Sequence, residues 1–284
     1  MTTPATPQAP RSPYQQQRAP GGAYASPIPV RRATLGDAIA SEWTKIRSVR
    51  STMWTLGVMI VLLLGIGLLA AVAVNLSSAD ISDTPVLGLG FFGVLLGSIC
   101  VITLGVLTIA SEYGTGMMRT TLTACPSRAR VLSAKAIVFF LLSFVITTVT
   151  TGVVGVLQTA ILDGAAPSGD DWLRSTVGVG LYIATLGLLS LAVGALIRHS
   201  AGAITIMIAL VLLPLVLAVF MFSDSLAGLQ QALFEYSIPS QIGALYDASV
   251  TSTGPSGWEP LWIMFGVTAV ALAGAYVSLE RRDA

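Results

Sequence analysis

The chain has 284 residues, 54% of them hydrophobic and only 10% charged, where a soluble domain carries roughly 25% charged residues. So few charges cannot clothe a water-soluble surface of this size, which excludes a soluble enzyme. The near balance of 15 Lys and Arg against 14 Asp and Glu excludes the basic face of a nucleic-acid binder, and two cysteines, Cys100 and Cys125, supply neither a disulfide framework nor a metal cluster. What remains is an all-α polytopic membrane protein.

Residues 1–33 are rich in Pro, Gln, Ala and Ser and hold no apolar run. They cannot bury enough surface to offset their ordering entropy, so a disordered tail is predicted. No apolar core with a cleavage site stands there, and no secretory signal peptide is expected. Residues 34–284 then form one predicted membrane domain.

The segment 34–52 opens it. Leu35, Ile39, Trp43, Ile46 and Val49 recur at spacings of three or four, which makes one apolar helical face. Asp37, Glu42, Lys45, Arg47 and Arg50 fill the other faces, and Thr34 suits an N-cap. An amphipathic helix along the inner leaflet is predicted, its basic residues toward anionic headgroups. On composition alone it serves equally as a passive anchor or as a docking element.

Six apolar runs follow, at about 53–74, 86–110, 136–162, 173–197, 201–222 and 261–279, each near the roughly 20 residues a helix needs to cross a bilayer. Only helices satisfy their own backbone polar groups in lipid at these lengths. Gly93 and Gly97 in the second run permit close helix approach, within the chain or between copies. Pro214 interrupts the fifth. Fourteen of the 15 basic residues fall on one side of these spans, with Arg174 alone opposite, while Asp80, Asp83, Asp163, Asp170, Asp171, Asp224, Glu235, Asp247 and Glu259 fall on the other. The Lys/Arg-rich side is cytoplasmic, so both termini are expected inside. Trp54, Trp172, Trp258 and Trp262 stand at span ends, where indole favours the interface.

The span interiors carry no ionisable residue well away from an end, which weakens a proton or ion relay. No protease motif is present, and His199 beside Ser200 reads as a polar turn. Only Lys45 and Lys135 are lysines and neither follows a glycine, so a phosphate-binding Gly-x-x-x-x-Gly-Lys loop is absent. Any active transport must draw its energy from another polypeptide.

The polar insert 111–135, SEYGTGMMRTTLTACPSRARVLSAK, separates the second and third spans. Gly114 and Gly116 permit a sharp turn, Met117 to Ala124 suits a short helix, and Pro126 ends it. Such a helix projecting below the membrane suits mechanical coupling, though a solvated basic loop reads as well. Residues 223–260 between the last two spans are too long for a simple turn. Leu226, Leu229, Leu233 and Ile238 stand there among polar residues, and Ser237–Gln241 offers a break with Pro239 at the bend.

Ser-Glu-Trp before the first span and Ser-Glu-Tyr after the second, each in its basic context, resemble the permeases of ABC type 2 exporters. The resemblance implies a transmembrane subunit that binds no cofactor itself and works with a separate ABC ATP-binding subunit carrying ATP and Mg. It also implies a second permease subunit, as a homodimer; the excess of Arg over Lys, with abundant Ala and Gly, suggests a bacterial genome and so the bacterial plasma membrane. The resemblance assigns an ATPase-coupling surface to Glu42, Trp43, Lys45, Arg47, Glu112, Gly114, Arg119, Pro126 and Arg128. It assigns an external, re-entrant or interfacial helical hairpin to the region of Leu229, Phe234 and Pro239. The alternatives are an ion-coupled secondary transporter or channel, and a sensor or scaffold subunit that moves nothing.

Overall fold

A computed structural model describes residues 33–77, 85–248 and 253–281. The tail predicted over 1–33 lies, but for its last residue, outside the described residues. Among those described, the chain forms α-helices with short 3₁₀ and π-type turns and no strand.

Helix α1 (Leu35–Ser48) starts on a capping box. The Thr34 side chain accepts from the Asp37 N–H, and the Asp37 carboxylate accepts from the Thr34 N–H at 2.8 Å, which pairs two donors the first turn leaves open. Val49 is extended, and this one residue separates α1 from α2 (Arg50–Ser77). A 3₁₀ turn at Val86–Gly90 leads into α3 (Phe91–Gly114). Gly116, at φ 72°, makes the left-handed turn that reverses the chain. Gly114 is instead the last residue of α3. Helix α4 (Met117–Ala124) ends before Pro126, and Ser127 caps α5 (Arg128–Ile161). The predicted short helix therefore forms as read.

Helix α5 differs from its predicted span. It begins at Arg128 rather than near residue 136, so Lys135 lies inside it. Its 34 residues measure about 51 Å at 1.5 Å per residue, well beyond the roughly 30 Å of bilayer hydrocarbon. The first two turns of α5 can thus stand outside the apolar layer.

The fourth span is continuous over Gly169–Ile197: α6 (Gly169–Leu173), one wide π-type turn over Arg174–Gly178, and α7 (Val179–Ile197). Next come α8 (Ser200–Val219), α9 (Ala227–Glu235), α10 (Ile238–Leu245) and α11 (Glu259–Arg281). Among the described residues six helices are long and apolar enough to cross a membrane.

The Gly169–Ile197 segment is the centre of the bundle. Over its most apolar stretch it is 72% buried, against 22% for α2, α8 and α11. Helix α7 packs on α3, α5 and α11, and small residues set the spacing. A Cβ on Gly105 of α3 would lie 2.5 Å from the Gly187 carbonyl oxygen, so the two backbones touch as closely as membrane helices do at glycine. Gly93 and Gly97 press likewise against Leu63 of α2. Their spacing serves packing within this chain.

Helices α9 and α10 lie in the long segment before α11. The break falls at Tyr236–Ser237, where Ser237 caps α10, and Pro239 sits in the first turn of α10 rather than at the bend. Helix α10 is buried, whereas α9 is mostly exposed or half-buried, with Glu235 its one buried residue. The Tyr182 hydroxyl of α7 donates to the side-chain amide oxygen Oε1 of Gln241 at 3.2 Å, with both groups buried, and this ties α10 to the central helix.

Candidate functional site

The residues singled out in 34–52 and 111–135 converge at one end of the bundle. Four of the charges there form a single node. Glu42, one turn before the buried Ile46, turns inward from α1. Its two carboxylate oxygens accept separately, Oε1 from Lys45 Nζ at 2.8 Å and Oε2 from Lys135 Nζ at 2.9 Å. Glu112, in the last turn of α3, accepts from both ammonium groups through one oxygen: Oε1 lies 2.9 Å from Lys45 and 2.7 Å from Lys135. Lys135 completes its three donors on the Thr108 carbonyl at 3.3 Å.

The side chain of Lys135 is fully buried, and those of Glu42 and Glu112 are 7% and 3% exposed. Two positive and two negative charges cancel. Removing ions from water costs several kcal/mol each, and only close pairing with full hydrogen bonding offsets this. The node meets that condition at every donor of Lys135. It leaves one exception, the Glu112 Oε2 atom, which is buried with no partner. Lys45 is the exposed member, at 29%. Burial pulls its pKa down, but hydrogen bonds and the charges of Glu42 and Glu112 outweigh that, and the net shift is upward from 10.5.

The node corrects two expectations. The basic face of α1 does not lie wholly toward headgroups, because Glu42 and Lys45 turn to α3 and α5. Glu42 and Glu112 are nearly buried, with their carboxylates turned onto Lys45 and Lys135 beside a cleft and not outward from the end of the bundle. Trp43, Arg47, Gly114, Arg119 and Pro126 are exposed. Arg128 is partly buried and donates to the Leu279 carbonyl at 2.6 Å, which holds the last turn of α11. Arg130 donates to the Ala33 carbonyl at 2.6 Å, just before α1. Arg198 stacks over the Tyr113 ring at 4.8 Å. The starts or ends of α1, α3, α5, α7 and α11 are thus laced together by charged side chains.

Sequence reasoning missed Lys135 as the keystone. It stands immediately before an apolar run and reads as a loop cation. The hairpin residues fall in three environments: Leu229 exposed, Phe234 half-buried and Pro239 buried. The Glu235 carboxylate accepts from Gln231 at 2.8 Å and from the Thr253 hydroxyl, and these bonds hold its pKa below the usual 4.5. Among the described residues no group of three or more His, Cys, Asp or Glu could hold a metal ion.

No curated protein matches the chain. Residues 70–284 match the ABC-2 family transporter protein, from the middle of α2 to the last residue, so α1 lies ahead of the matched region while Glu112 and Lys135 lie within it. With three quarters of its length matched and six apolar helices of spanning length, this multi-pass membrane protein belongs to the ABC-2 transporter family, whose members are the membrane components of ABC transport systems.

Proposed function

We propose that this chain is the permease subunit of an ATP-driven exporter, energised by a separate ABC ATP-binding subunit that carries ATP and Mg. The observation that carries the reading is the bridge made by Lys135. One buried ammonium holds α1, through Glu42, and the end of α3, through Glu112, so a push on α1 or α4 is delivered to α5 and α3 together. Rigid elements joined by paired buried charges move as a unit, and a unit with two arrangements is what a nucleotide-driven switch requires. The exposed Trp43, Arg47, Arg119 and Pro126 supply the outer contacts, and the buried pair Glu42 and Glu112 pass the motion on.

The Lys/Arg bias supports a cytoplasmic side for this end and for both termini, and the excess of Arg over Lys with abundant Ala and Gly supports a bacterial plasma membrane. Helix α8 exposes Ile206, Leu210, Leu213 and Leu217 along one stripe. That stripe supports a second copy of the chain beside α8, giving a homodimeric conduit for amphiphilic cargo, with lipid around the rest. The hairpin of α9 and α10 then closes the outer side, dipping back toward the membrane.

The test is purification of the chain with a candidate ABC ATP-binding subunit, in proteoliposomes. The expected result is vanadate-sensitive ATP hydrolysis and cargo movement only with both subunits present. Cargo movement by the chain alone, driven by an ion gradient without ATP, would overturn the reading.

A further inference from the structure

Beside the charge node lies a cleft of about 300 Å³ between α1, α2, α3 and α5. Its two ends differ in chemistry. Glu112 and Lys45 form the polar end, and Leu104, Leu107, Phe139 and Leu142 form an apolar wall. Two hydrogen-bonding positions at the polar end are unused. Glu112 Oε2 is buried without a partner, although the other oxygen of that carboxylate accepts two bonds. Lys45 gives two N–H groups to Glu42 and Glu112 and has a third to give.

An orphaned carboxylate oxygen calls for a cationic N–H donor, and a spare ammonium donor calls for an anion. A group with both charges a few atoms apart answers both at once and leaves the neutral node neutral. The apolar wall asks for a hydrocarbon chain. The cleft also lies where an amphipathic helix meets the ends of apolar spans, the depth at which headgroups stand. We propose that this cleft binds a phospholipid whose zwitterionic head bears a primary ammonium, the chemistry of phosphatidylethanolamine. The ammonium seats on Glu112 Oε2, the phosphate on Lys45, and an acyl chain lies along Leu104, Leu107 and Leu142. Phosphatidylcholine brings a cation with no N–H to give. Phosphatidylglycerol answers Lys45 and leaves Glu112 without a donor cation.

Native mass spectrometry of the full chain, taken from nanodiscs of equal parts of these three lipids through stepwise delipidation, tests the assignment. One charge-assisted hydrogen bond corresponds to a preference of about tenfold or more, so phosphatidylethanolamine should be the last lipid retained by that margin. Glu112→Gln should abolish the preference. Thr55→Trp, on the α2 wall of the cleft and away from the node, should abolish it too, and keeps the test valid if the first variant fails to fold. Equal retention of the three lipids would overturn the proposal, as would an unchanged preference in Thr55→Trp. Dodecylamine bound while phosphatidylethanolamine is refused would overturn the lipid as occupant. None of these readouts involves an ATPase, so their failure is separate from failure of the exporter reading.

Discussion

The ammonium of Lys135 lies 2.9 Å from the Glu42 carboxylate, across a sequence separation of 93 residues. Removal of either partner strands a buried charge, and such losses cost about 3–5 kcal/mol. Lys135→Met should therefore destabilise the chain by that amount in thermal unfolding in detergent. Adding Glu42→Gln to Lys135→Met should cost less than the sum of the two single changes, since the amide no longer needs the cation. Additive losses would mean that the pair is not coupled.

Lys45 gives the node a pH dependence of definite sign. Its pKa in the folded chain is raised above the ordinary 10.5, because burial, which lowers it, is outweighed by the hydrogen bonds and charges of Glu42 and Glu112. The stability it contributes is then complete below the unfolded value and is lost as pH rises through the folded one. Unfolding midpoints measured from pH 8 to about 11.5 should fall above 10.5. Lys45→Arg, which stays protonated throughout, should show a shallower fall. Parallel curves would remove Lys45 from the balance.

These charges mark where reading the sequence stops. Each span is legible because an apolar run of about 20 residues has no other use for its length, and α4 is legible because Gly116 and Pro126 bracket it. The start of α5 is not. An apolar run records where lipid begins, whereas the helix begins where Ser127 caps it, and the polar turn between hides Lys135 inside a helix. Glu42 carried a local signal that its assignment to the polar faces overlooked, since it stands four residues before Ile46 and three after Ile39, on the apolar side of α1. Its partners at 112 and 135 are distant in sequence, and no periodicity points to them. Two helices with a break were legible within 223–260, but the break sits at Tyr236–Ser237 because Ser237, not Pro239, supplies the cap.

The packing of α3 on α7 predicts a contrast between glycines. Gly105→Ala puts a methyl 2.5 Å from the Gly187 carbonyl, and a backbone atom cannot move aside. Overpacking of this kind costs about 1–3 kcal/mol. Gly65→Ala in α2 meets nothing within 4 Å and should cost nothing. Thermal unfolding of the two variants side by side checks this. Equal midpoints would mean that α3 and α7 are less closely apposed.

The hydrogen bond from Tyr182 to Gln241 predicts how α10 is held. Gln241 also donates through its amide nitrogen to the Tyr236 carbonyl at 2.8 Å, so one side chain closes the break before α10 and docks it on α7. Tyr182→Phe keeps the ring and its packing but leaves the Gln241 oxygen buried and unpaired, a loss of about 1–3 kcal/mol. Because this bond ties α10 to α7, the loss should appear as local opening before global unfolding. Hydrogen exchange over residues 238–245 should therefore quicken by roughly tenfold, the rate ratio that about 1.4 kcal/mol gives. Exchange in α3 and α5, which the bond does not touch, should stay as it was. Uniform acceleration through all helices would assign the bond to the stability of the whole bundle and not to the docking of α10.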